Sequence, residues 1–192
     1  MTTKTSYANG QFSWVDYMSK DMAKATAFYQ SLFGWDATPA DTQSEYPYTL
    51  FSYKGQQTAG LGEMDAEMKA KGFPPVWNSY ISVNNIDEVT KQAEQLGGKI
   101  LFPPTPAADA GKMAFIQDPT GATFALWQKI NHHGADLVNS PNSFCWNELI
   151  STDLDKALDF FYFLLGWKYD TMNMGVQGKS ETCKVNDDMN VV

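Results

Sequence analysis

Two carboxylates stand at matched places in this chain. Asp16 lies in the string WVDYMSKDMAKATAFYQSLFGW (residues 14–35) and Glu148 in WNELISTDLDKALDFFYFLLGW (residues 146–167), 132 residues further on. Each follows a tryptophan by two residues, on a stretch that alternates as a strand does, so indole and carboxylate share a face. A carboxylate held among aromatic rings loses hydration, its pKa rises, and it becomes a candidate general base. Asp16 and Glu148 are therefore the candidate catalytic groups. The competing reading is a carboxylate satisfied by hydrogen bonds near a cavity rim, because buried carboxylates are normally paired. No lysine or histidine in these strands offers Asp16 a catalytic partner.

Strand parity gathers further side chains on the face of Trp14 and Asp16. Trp14, Met18, Phe51, Tyr80, Met113 and Trp127 form a candidate apolar lining, with Asn78 and Asp16 as orienting polar groups. Such a lining suits a flat or hydrophobic small molecule, and the same rings could equally fill a core. His132 and His133 are the only histidines. Being adjacent, they would face opposite ways on a strand, and their polar surroundings predict a solvated loop. No GxGxxG, P-loop or serine nucleophile elbow occurs, so no nucleotide or other cofactor is expected.

The elements that must position these groups are legible from the repeat. Strand, acidic helix cap (Asp21, Asp153), helix and terminal glycine (Gly34, Gly166) follow one another in both copies. In the first unit a strand near 12–19, a helix near 22–33, a short strand after Trp35, and strands near 48–53 and 57–63 around Lys54-Gly55 give the order βαβββ. A second unit repeats it: strand 77–83, helix 86–96, strand 99–102 ended by Pro103-Pro104, then strands 112–117 and 122–128 around Asp118-Pro119-Thr120-Gly121. The chain thus divides into a polar, disordered start (1–10), a complete two-unit domain (11–128), a linker (129–142) and a third unit (143–192) that ends within its last strand.

Composition excludes several classes. The 192 residues carry a net charge of −8, which disfavours nucleic acid and anionic membrane as partners. No apolar run reaches the length of a membrane span and the opening residues lack the apolar core of a signal peptide, so a cytoplasmic location is expected. Cys145 and Cys183 lack CxxC spacing and fit reduced thiols.

The paired βαβββ units, the Asp-x-x-x-Ala-x-x-Phe-Tyr helix closed by Phe-Gly-Trp, and the Asp118-Pro119-Thr120-Gly121 turn resemble the vicinal oxygen chelate superfamily. It includes glyoxalase I, bleomycin-resistance proteins and extradiol dioxygenases. Trp127-Gln128, His133-Gly134-Ala135 and the restart at Trp146 look closest to its tandem two-domain, glyoxalase-like members. The resemblance implies an α+β fold in which paired units form a half-open, curled mixed sheet around a central cavity. Metal-dependent members place one ligand seven residues before each helix cap and another on each unit's last strand. Here those places hold Trp14, Asn78, Ala125 and, as its counterpart, Ala59. An indole, an amide and two methyl groups cannot form a metal's inner shell, so no metal is expected.

Two functions follow as expectations. One is a binding module enclosing a small apolar molecule without a metal. The other is a glyoxalase-like lyase or isomerase acting on a small carbonyl or aromatic substrate through Asp16 or Glu148. Because the fold needs an even number of units, the third is expected to pair with that of a second chain in a homodimer.

Overall fold

The computed structural model describes residues 2–42, 46–173 and 179–184. Eight strands make one mixed sheet: β2 (Phe12–Ser19), β3 (Asp36–Pro39), β4 (Tyr48–Tyr53), β5 (Gln56–Glu63), β6 (Val76–Ser82), β7 (Lys99–Ala107), β8 (Gly111–Gln117) and β9 (Thr123–Lys129). Their order, β3-β4-β5-β2-β6-β9-β8-β7, sets the two βαβββ units edge to edge. The seam between units is the antiparallel pair β2–β6, and within each unit the first and last strands run parallel (β2 with β5, β6 with β9). A two-stranded ladder, β1 (Thr2–Thr3) with β10 (Leu137–Val138), and another, β11 (Lys168–Asn173) with β12 (Lys179–Lys184), lie outside this sheet.

Local chemistry fixes the helices. Asp21, Asn85 and Asp153 cap α1 (Met22–Phe33), α3 (Ile86–Gln95) and α4 (Leu154–Leu165), each accepting the backbone N–H three residues on. Gly34 (φ 67°) and Gly166 (φ 71°) close α1 and α4 in the left-handed conformation. A short helix, α2 (Ala66–Ala70), fills the charged connection between the units.

One face of the sheet carries the helices. α1 covers Phe51, Ala59 and Leu61, joined by Val15 and Tyr17 from β2. Over the second unit, α3 and α4 together bury Ile81, Ala114, Ile116, Phe124 and Leu126. The helix of the third unit thus has its face of Ala157, Phe160, Phe161, Leu164 and Leu165 covered by its own chain.

Several expectations need correction. The start of the chain is not frayed: β1 pairs with β10, Lys4 N–H donates to the Asp136 carbonyl at 2.8 Å, and buried Tyr7 donates its hydroxyl to the Ala135 carbonyl at 2.6 Å. Residues 129–142 are likewise packed, not a free linker. Gly134 (φ 121°) passes so close to Ser13 that a Cβ would sit 2.3 Å from its carbonyl oxygen, and Ala135 N–H donates to that oxygen at 2.8 Å. β7 runs through Pro103-Pro104 to Ala107 instead of ending there; it is an edge strand, where a missing N–H costs no ladder bond, and its register shifts at the prolines. The third unit forms no first strand. Residues 145–150 have no regular structure, and Trp146 and Ile150 are 62% and 89% exposed.

Candidate functional site

On the sheet face opposite the helices, the seam β2–β6 sets Trp14 across from Tyr80 and Asp16 across from Asn78. Parity then does the rest: Trp14, Asp16 and Met18 point to this inner face while Val15 and Tyr17 lie under α1. Asp16 is 3% exposed and is the hub of the site. Its Oδ1 accepts from Asn78 Nδ2 at 2.9 Å. Its Oδ2 accepts from the Tyr80 hydroxyl at 2.8 Å and the Tyr48 hydroxyl at 3.2 Å. Tyr48 in turn accepts from Trp14 Nε1 at 3.0 Å.

Every donor around Asp16 is neutral. Burial pushes its carboxyl pKa up, while the bonds from Asn78, Tyr80 and Tyr48 act the other way by favouring the anion. The same burial, with the Asp16 charge beside them, holds both phenols well above the usual tyrosine range. The arrangement is a shielded carboxylate whose two oxygens are already engaged by amide and phenol donors.

Around this hub the rings pack tightly. Trp127 stands edge-on to Tyr80 at 6.4 Å, opposite Met113 in the ladder, and Phe115 lies 5.8 Å from Tyr80. Tyr7, Ala135 and Val138 from the chain start and the crossover pack against Trp14 and Trp127. Met18, Leu50, Asn78, Met113 and Phe115 are only partly buried, so they form a collar around a buried floor.

The expected site residues are thus divided. Trp14, Asp16, Asn78, Tyr80, Met113 and Trp127 come together, and Met18 joins them across Gly62. Phe51 does not: it is fully buried beneath α1, 5.1 Å from Trp35. Its parity puts it opposite Ala59, on the helix-bearing side. Glu148 does not either, since it sits exposed in the irregular stretch before α4. His132, expected in a solvated loop, lies edge-on to Trp14 at 4.6 Å and 5.8 Å from Trp127, with Nε2 buried and unpartnered. Burial, and then His133 beside it, push its pKa down to about 4.

Tyr48 escaped the sequence reading. Its signal was Gly60-x-Gly62 in the neighbouring strand, two bare positions on one face over which a large ring can lie. A Cβ on Gly60 would meet the Tyr48 hydroxyl, and one on Gly62 would sit 2.7 Å from Met18 Sδ. Register also corrects one metal position: Asp16 lies beside Gly60 as Tyr80 lies beside Ala125, so Gly60, not Ala59, is the counterpart of Ala125.

Two edge-to-edge βαβββ units in one curled mixed sheet, sharing an inner face, define the class of fold. The chain belongs to the glyoxalase/bleomycin resistance protein/dioxygenase superfamily, whose family model matches residues 11–126. It is 35% identical over 189 residues to CFP32 of Mycobacterium tuberculosis, provisionally named a glyoxylase, covering 97% of this chain and 72% of that one. It is 33% identical over 172 residues to the anthracycline biosynthesis protein DnrV of Streptomyces peucetius, covering 84% of this chain and 62% of that one. Among solved structures, the Mn(II)-bound glyoxalase of Novosphingobium aromaticivorans superposes with a TM-score of 0.60 at 19% identity, over 84% of this chain and 54% of that one, a likeness of fold.

A divalent metal does not fit here. The four places that hold its ligands in metal-dependent members carry Trp14, Asn78, Gly60 and Ala125, and at Gly60 the Tyr48 hydroxyl leaves no room even for a methyl group. Among the described residues, no three His, Cys, Asp or Glu side chains gather as a metal site. No helix among them is long and apolar enough to cross a membrane.

Proposed function

We propose that this chain binds a small, flat, largely apolar molecule on the inner face of its sheet, without a metal. The observation that carries the reading is the floor itself: where metal-dependent relatives need four ligands, Trp14, Tyr48 and Tyr80 close over Asp16 and leave no seat. Rings stack on a planar ligand, the collar of Met18, Leu50, Met113 and Phe115 supplies apolar contact, and Asn78 at the rim offers a directional polar group. A thermal-shift screen with planar aromatic compounds tests it, because a ligand bound to the folded state at a hundredfold excess over its Kd stabilises by about 2.7 kcal/mol. Stabilisation that persists in EDTA and is lost in Trp14→Ala supports the reading; stabilisation that requires a divalent ion overturns it.

A lyase or isomerase is the second reading, favoured by the raised pKa of Asp16. It would rest on Asp16 alone, since Glu148 is remote from the inner face. Asp16→Asn should then abolish turnover while leaving ligand affinity within a few-fold, and unchanged turnover would exclude Asp16 as the base.

A further inference from the structure

The hydrogen bonds on the inner face have fixed directions. An indole N–H can only donate, so the Tyr48 hydroxyl, accepting from Trp14 Nε1 at 3.0 Å, must turn its own hydrogen elsewhere, and Asp16 Oδ2 at 3.2 Å receives it. The Tyr80 hydroxyl donates to the same oxygen at 2.8 Å. With both phenols donating to Oδ2, the Asp16 carboxylate acts as an acceptor throughout, and Oδ1 takes a further hydrogen from Asn78 Nδ2 at 2.9 Å.

That last bond decides how the Asn78 carboxamide lies. A primary amide has a donor nitrogen on one side and an acceptor oxygen on the other, and only the nitrogen can face an anion. Asn78 Oδ1 is thereby turned away from Asp16. It accepts from no described residue, and it is not sealed from solvent. Asn78 shares the inner-face parity of Tyr80 and stays half-buried, within the collar around the floor. An oriented acceptor therefore stands at the edge of an otherwise apolar ring of side chains.

We propose that Asn78 sets the specificity of the inner face: its Oδ1, oriented by Asp16, selects planar ligands that carry a hydroxyl or N–H on the ring edge. The inference rests on the binding function proposed above and adds to it the polarity of the ligand. A hydrocarbon or ether of the same outline displaces water from Oδ1 and gives it no donor in return, so it binds less tightly. Asp16 is here a positioning residue. Asp16→Asn keeps the shape and leaves an amide oxygen for the two phenols, but it puts an amide nitrogen opposite Asn78. The Asn78 oxygen must then swing inward to accept, its Nδ2 takes the rim, and selection for a donor is lost.

The probes are 2-naphthol and 2-methoxynaphthalene, which share a ring system and differ in the donor. Affinities are read by equilibrium dialysis at neutral pH, where the naphthol keeps its proton. The parent chain should bind naphthol about five- to tenfold more tightly, the net worth of one hydrogen bond at a half-exposed rim. Asn78→Leu, close in size and still covering Asp16, should erase that preference by weakening naphthol alone; Asn78→Val serves if the leucine unfolds the protein by circular dichroism. Asp16→Asn should erase it too while affinity for the ether holds, a result that mere loosening of the fold would not give. Equal binding of the two probes by the parent, or a naphthol preference that survives Asn78→Leu, overturns this inference and leaves the binding function standing. Binding of neither probe overturns both.

Discussion

At the scale of single residues, the inner face depends on side chains whose sizes fit only together. Gly60 is bare because the Tyr48 hydroxyl occupies the place of its side chain, so Gly60→Ala should cost about 1–3 kcal/mol through overpacking, read as a lower midpoint in urea. His132 gives a pH prediction. Its folded pKa, about 4, lies below the ordinary histidine value, so the neutral ring's contribution is present above the unfolded pKa and is lost as pH falls through the folded one. That loss amounts to at most about 3 kcal/mol, discounted for partial exposure. His132→Phe should flatten this acid limb in denaturation curves taken across that window, and an unchanged limb would show that another group carries it. Asp16 has the opposite sign. Its pKa is raised, so its contribution is present below the unfolded value and lost as pH rises through the folded one, and Asp16→Asn should leave the protein no less stable at neutral pH. The sequence exposed Trp14, Asp16, Asn78 and Tyr80 by parity, because alternation on the two central strands is regular. It hid Tyr48, whose role comes from a partner strand, and misplaced Phe51, because β4 reaches the seam only through β5 and a register shift between Phe51 and Ser52 lies on that path.

At the scale of elements, the helices were the most legible part, because caps and glycine stops are local chemistry. Gly34 and Gly166 have open space where a Cβ would go, so replacing either by alanine tests backbone strain alone. Each should cost about 1 kcal/mol by thermal or chemical melting, and equal costs would show that the two helices end by the same device. The failure of the strand expected ahead of the Asp153 cap was not legible. In the two complete units that strand exists because β2 and β6 hydrogen-bond to each other across the seam. The third has no such counterpart among the described residues, and a strand without a neighbour leaves its backbone groups to water. The position of Glu148 follows from this, whatever its spacing from Trp146.

At the scale of the whole molecule, the unit count made the third unit the open question. Its helix is satisfied by α3 and Phe124 within the chain, which leaves the β11–β12 ladder as the surface that could pair with a second copy. Homodimerisation through that ladder is a separate proposal: sedimentation should give a dimer at micromolar concentration, and a monomer would overturn it. Ligand-free stability should be the same with and without chelator, since the inner face offers no ion a seat.

The ladder between Thr2–Thr3 and Leu137–Val138 fastens the opening of the polypeptide to the crossover that carries His132 onto Trp14. Trimming a handful of leading amino acids would therefore slacken a histidine some 130 positions downstream, and purification handles spliced to that end would press on the same knot. Whoever engineers this protein should treat its first few residues as a latch.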